Sequence, residues 1–272
     1  MLTRLLFLLT LVFGITIFLT GAWTGSLAPT ARAPVDAFVS QPVPLDADII
    51  GSGTDGRQLL EKAIEKLAPA QAGWLKTKIR QTMSDTGSNF VAEGFLQRGP
   101  NHCARLEMNI DTLGKRGRLL FVSDGEVVAQ VREMPGSAPV VAVEEMPADS
   151  VSRAEFLERN GVGGPVMLLQ EFRQHLQNAR LQTGIMQGRG LIQIKGELEP
   201  TAMSVCARTA IPVGVAYVYL DAQTLWPTRM EWWGVDESNN LRLVLRIEFL
   251  DAELNRELSD AECMRLFSYQ PN

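Results

Sequence analysis

The spacing of apolar residues divides this chain into three regimes. Residues 5–23 run nineteen positions without a charge and without a polar face. The peptide groups of such a stretch can all be satisfied inside one helix, so it can enter a bilayer. Residues 57–67 place Leu60, Ile64 and Leu67 on one side and Glu61, Lys62 and Glu65 elsewhere. That stripe predicts a short amphipathic helix, ended by Pro69. From Trp74 onward the period shortens to two, and strands are expected.

Phe90, Ala92, Gly94, Leu96 and Arg98 share one strand face; Ala104, Leu106, Met108 and Ile110 share the next. Residues 118–123 and 126–131 flank a turn at Asp124-Gly125. Residues 134–149 hold three prolines and no period, and are expected to form a loop. Helices are predicted over 151–159 and 165–177, with Pro165 in a first turn where its missing N–H is harmless. Strands resume over 190–198, 211–220, 226–233 and 241–250. In the last, Leu241, Leu243, Leu245, Ile247 and Phe249 alternate with a face bearing Arg242, Arg246 and Glu248.

Short turns between successive strands specify antiparallel pairing, and the lack of strand–helix alternation disfavours a doubly wound nucleotide fold. The expected fold is α+β: a strongly curved antiparallel sheet, in effect an incomplete β-barrel, with helices covering its concave side. Residues 1–33 are expected to be a signal peptide or membrane anchor, 34–50 a Pro/Ala-rich linker, and 51–272 a single domain.

Charge and cysteine content sharpen this picture. Met1 to Arg4 is a short positive n-region, and Ala31-Arg32-Ala33 resembles a small-residue cleavage site. Export follows, to a bacterial periplasm or cell envelope, with residues 5–23 long enough to serve as an anchor if uncut. No cysteine lies near the end of the apolar run, which excludes a lipid-modified bacterial N-terminus. Removing 1–33 takes away Arg4 and Arg32 and no acid, so the net charge moves from −5 to −7. An acidic chain without Lys/Arg clusters is not a nucleic-acid binder, which must neutralise phosphates. Cys103, Cys206 and Cys263 permit at most one intrachain disulfide, with three pairings open. Buried thiols acting as small hydrophobes explain them equally well.

Candidate chemistry is sparse. G-S-G-T-D-G over 51–56 matches a dinucleotide-binding fingerprint before a helix, but an antiparallel meander follows it, and Arg57-Gln58 stands where a P-loop needs Lys-Ser/Thr. It is better explained as a linker whose Thr54 or Asp55 caps the helix. His102 and Cys103, adjacent on a strand, would point to opposite faces and could not pair as base and nucleophile. No hydrolase, metalloprotease or C-x-x-C motif occurs, and two histidines do not make a metal centre. No enzyme activity, metal or cofactor is expected. Arg98 closes an otherwise apolar strand face, so it must either emerge past the sheet rim or reach backbone carbonyls within a cavity.

Several segments, in order, resemble the LolA/LppX-type family of exported lipoprotein and lipid carriers. These are E-G-F-L-Q-R-G-P over 93–100, L-F-V-S-D-G over 120–125, G-P-V-M-L-L over 164–169, Y-L-D over 219–221 followed by W-P-T-R over 226–229, and M-R-L-F-S-Y-Q-P over 264–271. Gly99 is an insertion relative to the family pattern, and the central loop is richer in proline. The resemblance implies an incomplete barrel whose mouth is roofed by helices and whose apolar cavity shields acyl chains. It also implies that Arg98 stands where the family's cavity arginine holds the helical lid.

The function expected is a cell-envelope carrier or binding protein for the acyl chains of a lipid or lipoprotein. Its partners would be that ligand and a membrane-protein donor or acceptor, and the carrier itself a monomer. The alternative is a membrane-anchored sensing or regulatory module of the same fold that binds a protein partner. Strand alternation puts Phe90, Leu96, Leu106, Met108, Met230, Trp232, Leu245 and Ile247 on the lipid-binding face, with Arg98 at its rim.

Overall fold

The computed structural model describes residues 38–45, 55–72, 74–85, 88–112, 115–133, 136–160, 162–198, 211–255 and 258–269. The apolar segment 5–23, its cleavage site, most of the 34–50 linker and Cys206 lie outside the described residues. Among those described, no helix is long and apolar enough to cross a membrane.

In chain order the elements are β1 (Val39–Ser40), α1 (Gly56–Ala72), β2 (Leu75–Asp85), β3 (Ser88–Arg98), β4 (Ala104–Thr112), β5 (Lys115–Ser123), β6 (Val127–Glu133) and β7 (Val140–Glu145). Then come α2 (Ser150–Arg159), α3 (Gly164–His175), β8 (Gln177–Met186), β9 (Arg189–Glu197), β10 (Val213–Asp221), β11 (Pro227–Val235), β12 (Leu241–Leu254) and α4 (Asp260–Phe267). All the strands join one twelve-stranded sheet in the order β1-β8-β9-β10-β11-β12-β2-β3-β4-β5-β6-β7. Every neighbouring pair is antiparallel, and β1 and β7 are free edges, so the sheet is open and the class is α+β.

Alternation places the core. In β2 the buried side is Leu75, Thr77, Ile79, Gln81 and Met83; in β4 it is Ala104, Leu106, Met108 and Ile110. These join α1 residues Leu59, Leu60, Ala63 and Leu67 and α3 residues Leu169 and Phe172 in one continuous cluster. The two helices therefore lie over the concave face with their apolar stripes down. Bulges in β12, opposite Trp232/Trp233 and between Leu250 and Glu253, bend the sheet where a regular ladder would stay flatter. Gly94 serves the same end. A Cβ there would fall 1.7 Å from the Glu107 carbonyl oxygen, so β3 can approach β4 this closely only without a side chain.

Local structure departs from the sequence expectations in six places. Helix α1 continues through Pro69 to Ala72, at the cost of the one i→i−4 bond that a prolyl nitrogen cannot donate. Residues expected to form a loop contain the edge strand β7, and β8 precedes the strand expected from residue 190. Helix α3 ends at His175, and the segment resembling a closing motif begins inside α4. In β12 the bulge breaks the alternation, leaving Leu241 exposed and Val244 buried.

Candidate functional site

The register of β3, β4, β11 and β12 assembles the expected lipid-binding face. Leu96 lies opposite Leu106, Met230 opposite Ile247, and Trp232 opposite Leu245. With Met108 these seven are fully buried in the main core cluster. Phe90 pairs through its backbone with Met83 on the same sheet, and its side chain lies outside the described residues. The roof sits directly on this surface. The Phe172 ring of α3 meets the Trp232 indole at 5.1 Å between centroids. Gly164, at φ +74°, brings the start of α3 against Leu96, where a Cβ would lie 3.1 Å from Cδ2. The helices' own side chains thus cover the face that was expected to border an open hollow. An apolar sheet face left bare would forfeit about 25 cal/mol for each Å² it failed to bury. Two polar groups share this dry layer: the Gln81 carboxamide and the Trp232 indole N–H, neither with a hydrogen-bond partner among the described residues.

Arg98 marks the rim of the same face. It does not emerge into solvent; it is 7% exposed, and its Nη1 donates to the Gly163 carbonyl 3.4 Å away, at the N-cap of α3. Beside it opens a cleft of about 1030 Å³. Its walls are the β3–β4 hairpin, the β5–β6 turn, the start of α2 and the inner side of α4, represented by His102, Cys103, Asp124, Arg153 and Cys263. Among the described residues no group of three or more His, Cys, Asp or Glu could hold a metal ion.

The motif residues around the cleft are mostly turn chemistry. The Asp124 carboxylate accepts from the backbone N–H of Glu126 and Val127 at 2.9 and 2.8 Å. Gly125 takes φ +95°, and a Cβ on it would lie 2.2 Å from the Asn101 carbonyl oxygen, so the two hairpin tips pack together. Asp221 likewise caps its own turn, accepting from the N–H groups of Gln223 and Thr224. Asp55, within the glycine-rich stretch, caps α1 through the Gln58 N–H at 2.8 Å.

His102 and Cys103 stand in the hairpin turn rather than within a strand, with His102 at φ +63°. His102 Nε2 is 3.0 Å from Ser150 Oγ, and the Cys103 thiol donates to the Asp124 carbonyl. Burial, then the Arg153 and Arg98 charges, hold the His102 imidazole below its usual range. The two side chains engage different partners.

Sequence reasoning missed the other face of the same strands. Arg229, Glu231, Arg246 and Glu248, to which the sequence pattern assigned no role, form a buried ladder there. Arg229 Nη2 donates to Glu248 Oε1 at 2.7 Å and Arg246 Nε to Glu231 Oε1 at 2.8 Å. The Glu231 side chain is 4% exposed and also accepts from the Trp233 indole. Met186, Tyr217 and Tyr219 cover the ladder, and Phe38 packs edge-on against Tyr219. Alternation alone cannot show that a polar face is covered. The signal that could have found α4 was plainer: Ser259 and Glu262 form a capping box.

No family model matches the sequence, and no curated protein matches it. Among solved structures the chain is similar to LprF from Mycobacterium bovis, with a TM-score of 0.46 and 10% identity over 76% of this chain and 97% of that one. It is similar to the Mycobacterium tuberculosis lipoprotein LppX, with a TM-score of 0.41 and 13% identity over 74% and 97%. It is similar to MucB, with a TM-score of 0.40 and 16% identity over 77% of this chain and 62% of MucB.

Proposed function

We propose that this protein is a cell-envelope carrier or binding protein that shields the acyl chains of a lipid or lipoprotein between its concave sheet face and the α1/α3 roof. One observation carries the reading: the continuous apolar surface from Leu96 to Ile247 is roofed by α1 and α3, and Arg98 ties α3 at the rim. Each buried CH₂ is worth about 0.8 kcal/mol, so an acyl chain that displaces the roof recovers what the roof gives up. The Gln81 carboxamide on the same face offers a donor to the ester or amide carbonyl at the head of such a chain. Binding of this kind needs no catalytic group, metal or cofactor, and the protein works outside the cytoplasm as a monomer.

Native mass spectrometry of the protein purified without added lipid tests this directly. A retained mass of one acyl lipid is expected, released by a fluorescent fatty acid. Repeatedly lipid-free protein that also ignores the fatty acid overturns the proposal.

One observation favours a second reading, an envelope module that binds a protein segment. Edge strand β7 is exposed along its whole length, and Val140 and Val143 are 62% and 60% exposed. An open apolar edge is a template for an added strand. Lysine at both positions leaves lipid binding unchanged if the edge has its own role; loss of lipid binding would deny it one.

A further inference from the structure

Two thiols face the cleft from different walls. Cys103 closes the β3–β4 hairpin, Cys263 sits in the first turn of α4, and both are half-buried free thiols. The two walls are in contact beside them. A Cβ built on Gly99 would fall 2.9 Å from Phe267 Cε2 and 3.3 Å from Cys103 Cβ, so the bare glycine lets α4 lie this close to the hairpin. Phe267 follows Cys263 by four residues and therefore shares its face of the helix. Burial, then the Cys263 thiol and the Asp124 carboxylate, push the Cys103 thiol up to about 11.

We propose that Cys103 and Cys263 are a disulfide-forming pair, and that their bond staples α4 to the β3–β4 hairpin and fixes one wall of the cleft. Helix α4 has eight residues, too few to persist alone, and its backbone is held to the sheet by the Arg105 guanidinium on the Leu266 carbonyl. A covalent tie therefore changes its behaviour more than that of the sheet.

The oxidant is a small-molecule disulfide such as oxidised glutathione. One protein thiolate attacks it and displaces a glutathione thiolate; the second protein thiolate then displaces the other. One S–S bond forms and one breaks. Two electrons pass from the protein sulfurs to the glutathione sulfurs, and the two cysteine protons end on the released thiols. The raised Cys103 thiol makes the reaction faster in alkaline buffer.

This pairing stands whether or not the protein carries lipid. The test equilibrates the full chain in oxidised or reduced glutathione, alkylates free thiols and maps peptides without reduction. A peptide linking Cys103 to Cys263 is expected in the oxidised sample, and Cys206→Ser retains it. Hydrogen exchange across 260–267 is expected to slow by about tenfold on oxidation, and Cys263→Ser abolishes that slowing. A link through Cys206, or both thiols remaining open to alkylation in oxidised glutathione, overturns the pairing. A bond that leaves α4 exchange unchanged overturns the staple.

Discussion

The Arg98 guanidinium and the Gly163 carbonyl meet 3.4 Å apart, joining the last residue of β3 to the N-cap of α3. The contact links the only charged residue of an apolar strand face to the helix that roofs it. At that length it is a weak bond, but it holds a buried cation against a backbone acceptor, and α3 has no side-chain cap of its own. Arg98→Met keeps most of the side-chain bulk and removes the bond. A loss of about 1 kcal/mol in urea unfolding is expected, with faster hydrogen exchange in the first turn of α3 and none in β4. Unchanged exchange at α3 would show that the apolar stripe alone seats the helix.

Behind the same strands, the buried ladder gives a sharper test. Glu231→Gln leaves Arg246 without its countercharge in a nearly dry layer, while Arg229 keeps Glu248. Breaking a buried pair in this way costs about 3–5 kcal/mol. Glu93→Gln removes a partner from the exposed Arg80 pair and should cost less than about 1 kcal/mol. Comparable losses at the two sites, measured by denaturant titration, would mean that the ladder is wet.

How much of this was legible in the sequence depends on whether a strand has one buried face. Strands β3 and β4 do, and their alternation from Ala92 to Ile110 can be read residue by residue. Strand β7 is exposed on both sides and β8 is mostly half-exposed, so neither shows the period that betrays a strand. Arg229 and Glu231 alternate with Met230 and Trp232 as any solvated face would; what covers them comes from Met186, on a strand distant in sequence, and from Tyr219. The cleft was illegible for a similar reason. It is built where two hairpin tips and four helices converge, and no local pattern encodes convergence.

The concave face yields a prediction that separates core from binding site. Leu106→Ala strips the side chain beyond Cβ at a buried site, and a loss of about 2–4 kcal/mol is expected from transfer and cavity terms together. If an acyl chain occupies this layer, added fatty acid should raise the thermal midpoint of the variant more than that of the parent, because ligand carbon refills the cavity. An equal shift in both proteins would place the ligand elsewhere.

Acid should weaken the fold through two groups acting in the same direction. Burial would raise the Glu107 carboxyl, but the Arg105 hydrogen bond and the Arg118 charge outweigh it and hold the group below its usual value of 4.5. A carboxylate with a depressed folded pKa adds stability that is fully present above 4.5 and is lost as pH falls through the folded value. His102 is held below 6.5 by burial and by Arg153 and Arg98, so the unfolded chain takes up its proton first and stability already declines as pH drops below 6.5. The expected profile of unfolding free energy against pH is flat near neutrality, begins to fall below 6.5 and steepens below 4.5. His102→Gln should flatten the first part and Glu107→Gln the second. A Glu107→Gln variant that keeps the full acid slope would show that its two arginines bind the carboxylate no better than water does.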